Sequence, residues 1–353
     1  MTVIAERIRM ARRAAGLSQQ ALGDRAEVSK MAISKYERGE MTPRSDVLTR
    51  VAEATGMRVD YFLRPVGFDL SRPSYRRRSA VSARARGKVE EEVREWLNRY
   101  VAAERLLDAE VPFSVGLIDR VARAIDDVEH VAEGLRREWG LGTDPIRSVV
   151  EVLEDHGIKV GAIAGDLDFD ALTFWIDGIS PAIAVRRDVP GDRERYDLCH
   201  ELGHIAVTPQ NDANAEKAAH RFAGAFLVPA ETARRELGIH RDKLDLRELH
   251  ELKREYGLSM QAWIHRAADL RIIREGTATG LYKTFRASGW NREEPGAQVP
   301  FEQPRRLELL VLRGVAEDAI GDARSAELLG MTLREFRRWR LESWREATAP
   351  LCP

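Results

Sequence analysis

The chain has 353 residues, 44% of them hydrophobic and 32% charged, a balance that excludes a disordered polyelectrolyte and, at this length, predicts two or three folded domains. No apolar run approaches the roughly 20 residues of a membrane span, the opening MTVIAERIRM lacks a signal-peptide core, and two cysteines, Cys199 and Cys352, are too few for a disulfide framework, so a cytoplasmic protein with no membrane partner is expected. The formal net charge of −1 hides a basic head on an acidic body: residues 1–88 carry 19 Lys+Arg against 9 Asp+Glu, a net of +10, which points to a polyanion such as nucleic acid.

Residues 3–63 read as a bundle of short helices. Apolar residues recur at helical spacing at Ile4, Ile8 and Ala11, then Leu17, Ala21 and Leu22, then Val28, Ile33 and Tyr36. Gly16 sits where a first helix should stop, and Ser18 and Ser29 can cap the two that follow. The break at Ala26-Glu27-Val28 makes the pair a helix-turn-helix, with the second helix able to enter a major groove.

This stretch resembles the XRE/Cro-type repressor family in Gly16-Leu17-Ser18-Gln19, in SKMAISKYERGE and in Pro43, over about 60 residues. The resemblance implies that Ser29, Lys30, Met31, Ser34 and Lys35 face double-stranded DNA, with Gln19 on a phosphate. One module meets one half-site, so a homodimer is expected.

The domain expected over 1–64 is followed by a basic linker over 65–90, in which Arg76, Arg77, Arg78, Arg84 and Arg86 are placed to follow a phosphate backbone. A helical connector over 91–140 comes next, with VEEEVREWLNRYVAAERLL and VARAIDDVEHVAEGLRREWGL as amphipathic helices. Gly142 and Pro145 announce a new unit. There IRSVVEVLEDHGIKV reads as a helix, a glycine stop and a strand, and DALTFWIDGISPAIAVRR as two strands around a turn.

The chemistry concentrates in RYDLCHELGHIAV, where His200, Glu201 and His204 form H-E-x-x-H in a helix expected to start near Asp192 or Arg193. Residues four apart lie on one helix face, so both imidazoles can address one metal ion while Glu201 points to an adjacent face as a general base. Gly203 costs the helix about 1 kcal/mol relative to Ala, which suggests a close approach. Cys199, about 100° round the helix from His200, reads as packed. A catalytic zinc takes three protein ligands, and the downstream candidates are Asp212, Glu216, His220, Glu231 and His240. In the helix AEKAAHRFAGAFLVP, Glu216 and His220 share a face, and spacing does not choose between them.

PAIAV, DRERYDLCHELGHIAV and EKAAHRFAGAFLVP are together similar to the ImmA/IrrE metallopeptidase family, over about residues 145–275. The resemblance implies Zn2+, with Mn2+ as an alternative, held by His200, His204 and Glu216. It leaves His220, where the family more often has Asn, and Tyr196 as candidates for an outer position or a transition-state donor. The chain departs from the family in IAVTPQ, where a histidine is often found. The implied reaction is hydrolysis of a peptide bond, Glu201 carrying the proton from water to the leaving amine. The strand Pro181–Val185 is expected to pair with substrate backbone as an edge strand.

Beyond the metallopeptidase domain, placed at 141–275, a C-terminal helical region spans 276–353. Residues 244–290 give three helices broken at Gly257 and Gly276, Asn291–Arg305 reads as a connector, and ARSAELLGMTLREFRRWR as a packed helical pair or a second DNA reader. The fold class expected is multidomain and mainly α: an all-α helix-turn-helix bundle, a central α+β zincin-like domain with a small sheet, and terminal helices. The function expected is a DNA-binding regulator whose endopeptidase cleaves a repressor-type protein or its own linker. A non-proteolytic ligand or metal sensor is the alternative, and a toxin-antitoxin-like fusion, with the first module inhibiting the second, a variant in regulation.

Overall fold

The computed structural model describes residues 3–63, 67–71, 83–163, 169–210 and 215–348. Arg76, Arg77, Arg78 and Asp212 lie outside them. The chain is multidomain and mainly α, and no helix among the described residues is long and apolar enough to cross a membrane.

Four helices, α1 (Val3–Ala14), α2 (Gln19–Arg25), α3 (Lys30–Arg38) and α4 (Ser45–Thr55), enclose a core of Ile8, Leu22, Ile33, Val51 and Phe62. Ser18 Oγ accepts from Ala21 N at 3.0 Å and Ser29 Oγ from Ala32 N at 3.1 Å, so both serines cap the helices they precede. The α2–α3 turn is tight: Glu27 is left-handed at φ 55°, and a Cβ on Gly23 would lie 2.6 Å from Val28 O. Only glycine lets the chain reverse there.

The helix α5 (Ala83–Leu106) starts inside the stretch expected as linker, and it is the element on which three regions pack. The first bundle docks through Arg7, which reaches Glu95 at 2.8 Å, and Tyr61, whose hydroxyl donates to Glu91. Val89, Val93 and Leu97 cover one face of a sheet, and Ala103 shares a core with Leu310 and Val311 of α14 (Arg306–Ala316), Ala326 and Leu328 of α15 (Asp322–Leu329) and Phe336 of α16 (Leu333–Thr348). The last two are a packed pair built on Leu328 and Phe336, although Leu333 is exposed rather than part of their core. Val121–Ala122 is the strand β1, so α6 (Asp127–Glu138) starts later than the apolar spacing suggests, with Asp127 Oδ2 accepting from Arg123 N and Ala124 N.

After α7 (Val149–Asp155), the strands β2 (Lys159–Ile163), β3 (Ala171–Ile176) and β4 (Ser180–Arg186) form a sheet in the order β2-β4-β3. The β3–β4 pair is antiparallel around Asp177-Gly178, both at positive φ, whereas β2 runs parallel to β4. This overturns one expectation: Pro181–Val185 lies in the central strand, paired on both sides, and cannot receive a substrate backbone. The edge strands are β2 and β3. Alternation assigns the faces, Ala182 and Ala184 toward α5, Ile183 and Val185 toward the motif helix.

The motif helix α8 (Gly191–Ala206) is followed by β5 (Thr208–Pro209), parallel to β1, and α9 (Ala215–Leu227). Ala219, Phe222, Ala223 and Phe226 of α9 are buried as their spacing predicts. After α10 (Ala230–Leu237) come α11 (Leu246–Tyr256), α12 (Met260–Asp269) and α13 (Glu275–Ala287). Gly276 is the second residue of α13 rather than a break; the chain turns before it, at Arg271 with φ 58°. Residues 291–305 have no helix or strand, yet they strap the start of α8: Gly191 N donates to Val299 O, Glu302 N to Glu194, and Arg195 pairs with Glu302.

Candidate metal centre

The motif helix is placed from both ends. At its N-terminus Asp192, Glu194 and Arg195 are buried, and Lys253, itself fully buried, reaches Asp192 at 3.1 Å and Glu294 at 3.0 Å. Burial pushes the Glu194 carboxyl up to about 8. At the C-terminus the Arg120 guanidinium donates to the carbonyls of Ile205 and Ala206, a cation where the helix dipole favours one. None of these contacts is visible in the H-E-x-x-H pattern. Their one trace in sequence is the run of charges in DRERYD on a helix that otherwise looks half apolar.

Gly203 supplies the third constraint. A Cβ there would lie 3.0 Å from Ala219 Cα and 3.2 Å from Ala219 O, so α8 and α9 pack backbone to backbone. This contact brings Glu216, on the first turn of α9, over the two histidines.

The resulting geometry is compact. His200 Nε2 and His204 Nε2 are 3.1 Å apart; His200 Nε2 is 3.5 Å from Glu216 Oε2 and His204 Nε2 3.6 Å from Glu216 Oε1. Ligands about 2.1 Å from a tetrahedral ion are separated by about 3.4 Å, so one zinc-sized ion fits all three. His200 is 3% exposed, whereas the Glu216 side chain is 53% exposed, leaving the centre open on the α9 side. His220 joins the cluster with Glu216 and His200, ligand atoms within 4.8 Å, and its ring centroid is 4.3 Å from that of His200. Tyr196 Oη lies 3.3 Å from His220 Nδ1 and donates to His220 O at 3.2 Å; burial drives its phenol pKa above the usual range. Glu231 and His240 are exposed and belong to no such cluster among the described residues.

Glu201 stands beside the three donors, and Thr173 Oγ1 of β3 donates to Glu201 Oε2 at 2.7 Å. Motif spacing cannot reveal Thr173, because it arrives from a separate strand. Cys199 is fully buried, and burial pushes its thiol up to about 12, so it packs as a neutral group.

In the first bundle Lys30, Met31 and Lys35 are exposed along α3, Met31 by 67%. Ser29 is spent on its cap and Ser34 Oγ accepts from Arg38. Gln19 Nε2 donates to Glu37, which also pairs with Arg12, so its amide is tied to the bundle's own frame. Sequence reasoning missed that frame because Arg12 and Glu37 are 25 residues apart.

Residues 8–62 match the family described as Helix-turn-helix, and residues 153–268 match the peptidase M78 family, described as IrrE N-terminal-like domain. No curated protein gives a significant match to the chain. The chain therefore joins a helix-turn-helix DNA-binding domain to a metallopeptidase-family domain.

Proposed function

We propose that this chain is a DNA-binding transcription regulator that carries a zinc-dependent endopeptidase, directed at a repressor-type protein or at its own linker. The observation that carries the reading is the convergence of His200, His204 and Glu216 to mutual separations of 3.1–3.6 Å with Glu201 held beside them by Thr173. Two imidazoles and one carboxylate suit Zn2+, with Mn2+ as an alternative. When bound, the ion supplies Lewis acidity toward the scissile carbonyl and eases deprotonation of the attacking water.

The chain's own residues supply the rest. Glu201 takes one proton from the water as its oxygen bonds to the carbonyl carbon, then delivers it to the departing nitrogen as the C–N bond breaks. Thr173 spends one Glu201 oxygen on a fixed hydrogen bond, which holds the carboxylate in one orientation through both transfers. His220, its ring 4.3 Å from that of His200, can donate to the oxygen that gains charge, and Tyr196, whose hydroxyl donates to His220 O, positions it. On the DNA side Lys30 and Lys35 meet phosphates or guanine edges, Met31 lies against base edges, and Ser29 and Ser34, whose hydroxyls accept within the bundle, each keep a proton to donate, while Gln19, held by Glu37, braces the start of α2; two copies read two half-sites.

The test is intact-mass analysis of the metal-loaded protein incubated with candidate repressors, beside Glu201→Gln. Wild type should produce fragments, and the variant should lose about 100-fold or more in rate while keeping its metal. Identical masses in both would sink the proteolytic reading. Normal regulation by Glu201→Gln in cells, with loss in His200→Ala, would favour a non-proteolytic sensor.

A further inference from the structure

The terminal pair α15–α16 repeats the α2–α3 helix-turn-helix position for position. In the first bundle the two helices start at Gln19 and Lys30, and in the terminal pair at Asp322 and Leu333, 303 residues further along in both cases. The turns match at that same offset. Glu27 and Gly330 are the left-handed residues, at φ 55° and 70°. Val28 N donates to Gly23 O at 2.9 Å, and Met331 N to Ala326 O at 2.8 Å. Ser29 Oγ accepts from Ala32 N at 3.1 Å, and Thr332 Oγ1 from Glu335 N at 3.2 Å, so a hydroxyl caps the second helix of each pair.

The packing follows the turns. Leu17 and Ile320, ahead of the first helix, and Ile33 and Phe336, one turn into the second, are buried at corresponding places. A brace between the helices also recurs: Gln19 donates to Glu37 at 2.8 Å, and Arg340 donates to Asp322 at 3.0 Å, the same two positions with donor and acceptor exchanged. The copies differ at Leu22, where the second has Ser325, its hydroxyl donating to Gly321 O. Core packing alone asks only for apolar residues such as Leu328 and Phe336. A turn, its cap, its buried positions and its brace at one common offset define a shared geometry.

On the outward face Lys30, Met31, Ser34 and Lys35 correspond to Leu333, Arg334, Arg337 and Arg338, all but Ser34 exposed. Residues 333–342 carry four arginines against two glutamates. Glu335 is turned back to accept from Thr332 N at 2.7 Å, and Arg337 and Arg340 are held by Asp322. Arg334 and Arg338 are therefore the outward cations, the second in a loose, exposed pair with Glu342 at 4.0 Å.

We infer that α15–α16 is a second helix-turn-helix, which lays α16 along duplex DNA with Arg334 and Arg338 on its phosphates. Ala326 and Leu328 share a core with Ala103 of α5, the helix on which the first bundle also docks, so one chain carries two DNA readers on one support. Each reader raises the effective concentration of DNA at the other, and the affinity of the chain rests on both.

The test is fluorescence anisotropy of the full-length protein on a mixed-sequence duplex of about four helical turns, across a range of salt. Three paired variants are compared with wild type: Arg334→Ala with Arg338→Ala, Lys30→Ala with Lys35→Ala, and Arg105→Ala with Arg313→Ala, which removes the same charge from exposed sites on α5 and α14. The first pair should lower affinity about tenfold or more and reduce the slope of log affinity against log salt by about two, while the third leaves the slope unchanged. Arg334→Lys with Arg338→Lys should restore the slope, because a phosphate contact needs the charge alone. An unchanged slope in the first pair, or an equal fall in the first and third, would overturn the inference. Loss confined to the lysine pair overturns it and keeps the first reader; loss confined to the arginine pair keeps it and removes the role assigned to Lys30 and Lys35. A wild type that binds no duplex overturns both.

Discussion

Two buried carboxyls show how far single residues depart from their type. Burial pushes both Glu154, in contact with the Tyr100 hydroxyl, and Glu194 up to about 8. A carboxyl whose folded pKa is raised contributes stability that is complete below about pH 4.5 and is lost as the pH rises toward about 8. Glu154→Gln keeps the acceptor for Tyr100 without the charge, so it should raise the melting temperature by several degrees at pH 8 and by little at pH 5; equal shifts at both would refute the burial account. At the site, Thr173→Val should lower kcat about tenfold with KM nearly unchanged and metal content intact, and Thr173→Ser should restore most of it. A loss appearing only in KM would mean that Thr173 positions substrate rather than Glu201.

Among elements, the α8–α9 contact decides whether three donors become one centre. The side-chain periodicity of each helix is legible, and so are the positions of His200, His204 and Glu216. Their mutual distance is not, because it depends on backbones meeting at Gly203 and Ala219. Gly203→Ala should therefore weaken metal binding at least tenfold in a chelator competition, although alanine favours the isolated helix by about 1 kcal/mol. Unchanged affinity would show that α9 yields. In the first bundle the caps at Ser18 and Ser29 and the Gly23 turn follow local rules, and α3 presents Lys30 and Lys35 outward as its period demands. If both lysines meet phosphates, replacing each by alanine should reduce the slope of log affinity against log salt by about one per residue, measured by fluorescence anisotropy on duplex DNA.

At the scale of the whole molecule α5 joins the DNA-binding bundle, the sheet and the terminal helices. Arg7 is 1% exposed and pairs with Glu95, so Arg7→Ala leaves a partly buried carboxylate without its cation and should cost about 2 kcal/mol. Amide exchange should then rise across α1 while the core around Trp263 and Phe226 stays protected; a uniform rise would mean that the regions unfold together.

The sequence by itself determined both domain families, the helix periods and caps, and the residue types able to hold a metal, because these rest on composition and on spacing within one element. Only the tertiary structure decided that β4 is the central strand between β2 and β3, that Thr173 reaches Glu201, and that residues 291–305 clamp the motif helix. Strand order, the approach of two backbones and buried charge pairs depend on residues tens to more than a hundred positions apart, and no local pattern encodes which distant partner removes them from water.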